Sequence, residues 1–339
     1  MRVVVALGGN AILRRGEPMS IANQRASIAT ACGPLARIAA DHELVVSHGN
    51  GPQVGLLALQ AAAYDDVSAY PFDVLGAQTE GMIGYLIEQE LGNRIGNDRV
   101  IATLVTRTVV DPRDPAFEDP TKFVGPIYNM EQAAVLAQEH GWVMKADGGS
   151  LRRVVPSPMP IRILETKPIE WLLREGGVVI CAGGGGVPTT FDSAADVMAG
   201  VEAVIDKDLA SAVLARDLNA DELIIATDVN GAYVDWGKPT QRLIVRAHPD
   251  ALDAISFSAG SMGPKIAAAQ QFVRGGRGDC VIGSLTQIDA VLAHESGTLV
   301  TNRVRGIEYE SPGSDPASGP SPRHLRVVSD VPTGVPGRG

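Results

Sequence analysis

The chain has 339 residues, 45% of them hydrophobic, so it can bury a large core as one large α/β domain or as two smaller ones. Its net charge of −10 excludes the broad basic face that a duplex nucleic acid or an anionic membrane requires, whereas a small anionic substrate needs only a local basic pocket. No signal-peptide pattern opens the sequence and no apolar run reaches transmembrane length, which predicts a cytoplasmic protein without nucleic-acid or membrane partners.

Short β-branched runs alternate with helical patterns along most of the chain. Strands are predicted at 2–7, 43–47, 99–106, 178–182, 203–205, 222–227, 280–283 and 298–301. A helix follows the first strand, because apolar residues between 28 and 39 fall on one helical stripe, and further helices are predicted at 207–214 and 265–273. This alternation predicts an α/β fold with a mainly parallel sheet covered by helices on both faces.

Two segments break the alternation. Residues 111–160 contain seven prolines around one short helix that Asn129 is placed to cap, and we interpret them as an excursion from the main sheet that acts as a lid. Residues 306–339 contain six prolines and six glycines, a composition too rich for a packed element. We therefore expect a disordered tail, in which 325–328 could form a small docking strand.

The cysteines and histidines do not predict a metal site. Cys32, Cys181 and Cys280 each lie singly inside apolar runs, without a Cys-x-x-Cys pair and in odd number. This pattern favours buried reduced thiols over zinc ligands or disulfides. The six histidines are scattered, and His48 is interpreted as a structural residue rather than a base.

Glycine-rich or charged turns follow five of the predicted strands, at 8–10, 47–53, 183–186, 206–208 and 228–231. In an open α/β sheet the ligand lies beyond the carboxyl ends of the strands, where glycines let it approach the backbone and helix-opening N–H groups bind an anion. Any one of these turns alone is equally compatible with an ordinary tight turn, and 206–208 alone with an exposed helix start. Five of them at one edge favour an anion site.

The use of lysine rather than arginine indicates which residues supply the positive charge for this anion. Of the 29 basic residues only six are lysine, so lysine is kept where a compact point charge matters. Lys207 follows a predicted strand, Lys265 begins a helix after a Gly-Ser-Met-Gly-Pro turn, and Lys145 lies in the 111–160 excursion. Lys122 and Lys167 are interpreted as solvated surface lysines.

The strings "ALGGNA", "SHGNGPQVG", "VVPSP", "CAGGGGVP", "GVEAVIDKD", "WGKP" and "GSMGPKI" resemble the carbamate kinases of the amino acid kinase family, in the same order and approximate spacing over residues 2–303. The resemblance implies a three-layer αβα sandwich around a mostly parallel eight-stranded sheet, within a kinase domain at 1–305 that carries a protruding subdomain at 111–160. It also implies a homodimer and MgATP as phosphoryl donor, with ATP and ADP as substrates. Mg²⁺ would be bound mainly through the nucleotide phosphates, since no dedicated carboxylate cage is visible.

The same resemblance assigns roles by position. Carbamate or the transferred phosphoryl group would be held by Gly8, Gly9, Asn10, Gly49, Asn50, Gly183 and Gly184. Lys207 and Lys265 would span the developing charge, Asp208 would orient them, and Lys145 would reach in from the lid. The nucleotide would be bordered by Asp228, Val229, Tyr233, Lys238, Pro239 and Met262.

The chain departs from the family pattern at three places. It reads Gly149-Ser150-Leu151 where an Arg-Gly-aromatic stretch is common, and Glu80 and Ala259 stand where Gln and Pro are usual. The first departure removes an arginine from the stretch of the lid that would contact the anion.

The predicted reaction is reversible phosphoryl transfer between MgATP and carbamate. Two alternatives remain open. A sister kinase acting on an amino acid, a nucleoside monophosphate or another small carboxylate would keep the fold but lack "SHGNGPQVG" followed by "GSMGPKI". A catalytically silent nucleotide-binding regulator would tolerate loss of Lys207, Asp208 or Lys265, all of which are present.

Overall fold

Strands and helices alternate along most of the chain in the computed structural model, which describes residues 1–14, 16–64, 70–96, 99–192, 195–258, 260–276 and 278–310. The strands are β1 (Arg2–Leu7), β2 (Glu43–His48), β3 (Ile101–Thr103), β4 (Arg107–Val110), β5 (Lys122–Tyr128), β6 (Val143–Asp147), β7 (Ser150–Val155), β8 (Pro160–Ile163), β9 (Val178–Ile180), β10 (Val187–Asp192), β11 (Val197–Gly200), β12 (Glu222–Ala226), β13 (Tyr233–Val234), β14 (Arg242–Ala247), β15 (Asp279–Gly283), β16 (Thr298–Val300) and β17 (Ile307–Tyr309). The α-helices are α1 (Gly9–Ile12), α2 (Ile21–Asp41), α3 (Gly51–Ala62), α4 (Phe72–Ile95), α5 (Met130–His140), α6 (Thr166–Arg174), α7 (Lys207–Asp217), α8 (Met262–Arg274) and α9 (Ile288–Leu292).

The central sheet runs in the order β13-β14-β16-β15-β12-β1-β2-β9-β3, with β17 also paired to β14. From β12 to β3 every pairing is parallel, and β15 joins β12 in the same sense. The antiparallel pairings lie at one side, between β15 and β16 and where β13 and β17 meet β14. The predicted mostly parallel sheet is therefore confirmed.

The sheet has ten strands where the family resemblance implied eight. Two of the ten strands, β13 and β17, have only two and three residues, and both pair with β14. Segments of two and three residues are too short to show a period-2 pattern in the sequence.

Helices cover both faces of the sheet, as predicted. Successive side chains of a strand point to opposite faces. Val4 accordingly joins the core formed with α6, α7 and α8, while Val3 and Val5 join the core formed with α2 and α4. Both faces of β1 are buried, which explains its unbroken apolar run.

One predicted strand was wrong, and two elements of the fold were not predicted. Residues 203–205 are a buried loop rather than a strand, since the short apolar run is satisfied by burial alone. Helix α4 was not predicted, because apolar residues occur all around it. Strand β14 was also missed, although it pairs with β13, β16 and β17.

Residues 122–155 form a separate three-stranded sheet, in the order β5-β7-β6, with α5 packed beside it. The predicted cap of α5 is confirmed, because the Asn129 side chain accepts from the Gln132 N–H in a reciprocal capping box. The sheet meets α3 through two glycines: a Cβ built on Gly55 would lie 2.2 Å from Gly125 Cα, so only glycine permits this backbone contact. The three strands themselves were not predicted within 111–160.

The packed part of the chain continues past residue 306, where the tail was expected to begin. Strand β17 adds to β14 with Ile307 opposite Ala247. The expected docking strand at 325–328 lies outside the described residues, as does Ala259.

The three cysteines are free and buried, as predicted. Burial raises the pKa of Cys32 to about 12, and the pKa values of Cys181 and Cys280 are raised as well. Among the described residues, no helix combines the length and apolar character needed to span a bilayer.

Candidate active site

The turn after β1 lies directly against the end of β12. Gly8 precedes the short helix α1, and a Cβ built on Gly8 would lie 3.0 Å from the Ala226 carbonyl oxygen. Asn10, two residues later, donates a side-chain hydrogen bond to the Asp228 carboxylate. Parallel pairing of β1 with β12 thus brings two of the predicted turns, more than 200 residues apart in sequence, to one point.

The turns after β2 and β9 also meet. Gly184 has φ +64° and a Cβ built there would lie 2.0 Å from the Asn50 side-chain nitrogen, so glycine is required for both conformation and space. Asn50 is itself fixed, because its side-chain amide donates to the Thr79 hydroxyl at 2.8 Å. The structure therefore brings Asn50 and Gly184 into contact and places Gly49 beside Lys207, whose Cδ would lie 3.3 Å from a Cβ on that glycine.

Asp208 bridges the two predicted lysines. Its Oδ1 accepts from Lys207 Nζ at 2.5 Å, and its Oδ2 accepts from Lys265 Nζ at 3.0 Å. All three side chains are largely enclosed: 14% of each lysine side chain and 6% of Asp208 is exposed. Two ammonium groups and one carboxylate leave this Lys207–Asp208–Lys265 cluster with one net positive charge.

The first turn of α7 is held in place by short polar contacts. Asp206 caps the helix by accepting from the N–H groups of Asp208 and Leu209. One turn on, the Ser211 hydroxyl donates to the Lys207 carbonyl and lies 2.6 Å from the Ser47 hydroxyl at the end of β2. The helix start is thus locked to the sheet edge, so the Lys207 side chain is directed along the Gly49 backbone.

The two lysines of the Lys207–Asp208–Lys265 cluster keep its carboxylate ionised. Burial alone would raise the pKa of Asp208, but Lys207 and Lys265 lower it below its ordinary value, so the carboxylate stays ionised at neutral pH. Burial and the neighbouring Lys207 ammonium lower the pKa of Lys265. An incoming anion would relieve the repulsion between the two lysines.

The lysine that approaches this cluster from the 111–160 segment is Lys122, which the sequence interpretation treated as a surface lysine. At the start of β5, its Nζ lies 2.6 Å from Asp206 Oδ2, and its side chain is 32% exposed. Lys145 instead forms an ion pair with Asp119 at 2.6 Å within its own segment. The sequence around Lys122 offered no signal for this contact, because the contact depends on how the small sheet docks.

The residues predicted to border the nucleotide lie in two places. Asp228 and Val229 follow β12 next to Asn10, and Met262 opens α8 three residues before Lys265, packed against the core. The others form a surface hairpin: Tyr233 lies in β13, Lys238 pairs with Asp235 at 2.9 Å, and Pro239 is exposed. Trp236, 64% exposed and edge-on to Tyr233, shares this hairpin and was not singled out from the sequence.

His48 is buried beneath the Gly183 backbone, and its Nδ1 lies 3.1 Å from the Gly49 carbonyl. Burial lowers the pKa of His48 to about 4, so the ring is neutral at physiological pH. The structural role expected for this residue therefore fits its surroundings. Across the parts of the chain that the structure describes, no three His, Cys, Asp or Glu side chains cluster in a way that could hold a metal ion.

Comparison with known proteins identifies the family of this chain. The amino acid kinase family profile matches residues 1–284. The chain is 55% identical over 309 residues to a carbamate kinase from Haemophilus influenzae, covering 91% of this chain and 99% of that protein. It is 53% identical over 323 residues to a carbamate kinase from Rhizobium meliloti, covering 94% and 100%.

A solved structure, carbamate kinase from Giardia lamblia bound to AMP-PNP, matches with a TM-score of 0.81 at 38% identity, covering 88% of this chain and 98% of that one. The chain therefore belongs to the amino acid kinase family, within its carbamate kinase branch.

Proposed function

We propose that this protein catalyses reversible phosphoryl transfer between MgATP and carbamate, giving MgADP and carbamoyl phosphate. The observation that carries the proposal is the enclosed Lys207–Asp208–Lys265 cluster beside the glycine turns after β1, β2 and β9. A net positive cluster next to closely approachable backbone is what a transferring phosphoryl group requires.

The two lysines act on the transferred group. A lysine ammonium has three N–H donors, and Asp208 takes one from each of Lys207 and Lys265. The remaining donors are available to phosphoryl oxygens. Because Asp208 fixes both ammonium groups before substrate binds, little reorganisation is needed as charge develops in the transition state.

The acceptor needs no general base. An anionic carbamate oxygen forms the new O–P bond while the bond from the γ-phosphorus to the bridging oxygen of ADP breaks, and no proton changes place. A neutral, buried His48 is consistent with this, because its proton is not required.

The form of the acceptor site favours a small oxyanion. Gly8, Gly9, Asn10, Gly49, Asn50, Gly183 and Gly184 would line it, mostly by backbone groups. A surface built mostly from backbone groups suits a small oxyanion better than a larger amino acid or nucleoside, which needs an apolar pocket or additional side-chain partners.

Magnesium would arrive with the nucleotide. Asp208 is already engaged by two lysines and Asp228 by Asn10, so neither is free to build a carboxylate cage. These residues fit an ion held mainly by phosphate oxygens and water, which would neutralise phosphate charge. Asp228, Val229, Tyr233, Lys238, Pro239 and Met262 would border the nucleotide.

Two further parts of the proposal concern assembly and closure. The protein would be a homodimer, which sedimentation or light scattering can test. The 111–160 segment would close over the site, with Lys122 rather than Lys145 delivering its charge, as the 2.6 Å contact between Lys122 and Asp206 suggests.

The test is a coupled assay of ATP formation from carbamoyl phosphate and MgADP, followed by the reverse reaction on a panel of acceptors. We expect carbamate to give the highest kcat/KM, acetate and bicarbonate much lower values, and aspartate, N-acetylglutamate and UMP none. A higher kcat/KM for any larger acceptor would overturn the assignment and favour a sister kinase. No transfer at all would favour a silent nucleotide-binding regulator.

A further inference from the structure

A buried carboxyl group, Glu80 of α4, lies behind the glycine turn that follows β9. The residue is 1% exposed. Its Oε2 accepts two hydrogen bonds from Thr106, one from the backbone N–H at 3.1 Å and one from the hydroxyl at 3.0 Å. The same hydroxyl accepts from the Ala182 N–H at 2.7 Å. Glu80 is thus linked through one threonine to the residue that starts the turn.

Ala182 is a position that needs this support. Its φ of +50° is the left-handed conformation, which is unfavourable for a non-glycine residue. From there the turn runs into Gly183 and Gly184, the residues proposed to contact substrate. The Glu80–Thr106–Ala182 chain therefore fixes the direction in which those two backbone amides point.

The second oxygen of Glu80 lacks a partner. Oε1 is fully enclosed and makes no hydrogen bond of ordinary geometry within the described residues, and only the nearby Gly183 N–H adds to the Thr106 donors in favouring the ionised form. Gly183 packs directly on the side chain, since a Cβ built there would lie 2.9 Å from Glu80 Cγ and 2.5 Å from His48 Nε2. An enclosed ionised oxygen without a donor is strongly disfavoured, whereas a protonated carboxyl is not.

The other titratable groups around Glu80 do not supply a compensating charge. His48 of β2 is neutral, the Cys181 thiol after β9 is protonated, and Glu165 before α6 carries charge of the same sign. The Lys207 ammonium adds to the lowering of the His48 pKa, which keeps that ring neutral. In the part of the chain that the structure describes, Glu80 forms no ion pair.

We propose that Glu80 is a positioning residue that works in its protonated form, and that loss of its proton places a negative charge behind the Gly183–Gly184 turn and weakens binding of the anionic substrate. This inference rests on the proposed function. Burial raises the pKa of Glu80 to about 8, because its effect outweighs the hydrogen bonds from Thr106 and the Gly183 N–H, which lower the pKa. The loss of the proton therefore falls within an accessible pH range.

The test compares Glu80→Gln with wild type across pH 6.5 to 9.5. Gln keeps the shape and neutrality of the protonated acid. In wild type, a group with pKa about 8 is roughly nine-tenths ionised at pH 9, so kcat/KM for carbamoyl phosphate should fall about tenfold from this ionisation. Glu80→Gln should match wild type at pH 7 and lack this fall. Titration of Lys265 affects both proteins equally and cancels in their ratio.

Glu88→Gln is the matched control, because Glu88 lies on the same helix and accepts from a threonine hydroxyl, that of Thr103, at 2.7 Å. Its profile should follow wild type. Superimposable profiles for Glu80→Gln and wild type would overturn the proposal, as would a folded Glu80→Gln enzyme that is inactive at pH 7.

A second readout does not depend on which acceptor the enzyme uses. A carboxyl whose pKa is raised on folding stabilises the folded protein fully at pH values below its pKa in the unfolded chain. This stabilisation is lost as the pH rises towards the pKa in the folded protein. The Tm of Glu80→Gln should therefore exceed that of wild type by a margin that grows from pH 5 to pH 8. A margin independent of pH would show that Glu80 is already ionised in the fold and would overturn the proposal, whatever the activity assays give.

Discussion

Replacing Lys265 with methionine tests the charge cluster most directly. Methionine keeps most of the side-chain length, and Asp208 retains Lys207 at 2.5 Å, so no buried carboxylate is left without a partner. The cluster's net charge falls from one to zero. A charge about 4 Å from a phosphoryl oxygen, at an effective dielectric of about 20, is worth about 4 kcal/mol. We therefore expect Lys265→Met to lower kcat by about 10²- to 10³-fold.

The assay is ATP formation from carbamoyl phosphate and MgADP, with KM measured for both substrates and thermal melts recorded in parallel. The KM for MgADP should change little, because the charge acts mainly in the transition state. Lys167→Met, at an exposed position on α6, is the matched control and should be unchanged. Near-wild-type turnover in a folded Lys265→Met protein would refute the role assigned to the cluster.

Three further predictions concern the surroundings of the cluster. In steady-state kinetics, Lys122→Met should lower kcat/KM at least about tenfold, while Lys145→Met should change it by less than about threefold. The reverse order would return the role to Lys145, as the family resemblance implied. Gly184→Ala should weaken carbamoyl phosphate binding and lower Tm, because its methyl group would lie 2.0 Å from the Asn50 side-chain nitrogen, whereas Gly33→Ala has open space and should do neither. Hydrogen exchange across 111–160 should slow when both substrates are added, and unchanged exchange would argue against a lid.

The sequence was sufficient for the central layers of the fold. Runs such as 3–7 and 223–226 are buried on both faces, so their apolar character was unbroken and easy to interpret. The sequence was insufficient to predict elements whose structure depends on partners elsewhere in the fold. The strand β14 is recognisable only through its neighbours, and 203–205 looks like a strand although its backbone is accommodated by a loop.

The candidate site also combines residues that could be predicted from the sequence with residues that could not. Glycine turns and the Asp-Lys-Asp sequence at 206–208 have local signatures, so Lys207, Asp208 and the glycines could be found without coordinates. The choice between Lys122 and Lys145 could not, because it depends on how the small sheet docks through Gly55 and Gly125. The burial of Glu80 was equally hidden, since α4 gives no clear amphipathic pattern.

The pairing of β1 with β12 has a consequence for how the protein is made. Val3 lies opposite Glu222, so β1 leaves the ribosome well before this partner strand, which is synthesised more than 200 residues later. Until then β1 has only β2 beside it, and its other edge exposes unpaired backbone groups between apolar side chains. We expect nascent chains that stop short of β12 to aggregate or recruit chaperones, and the rate of reaching the native state to be set by this late strand insertion.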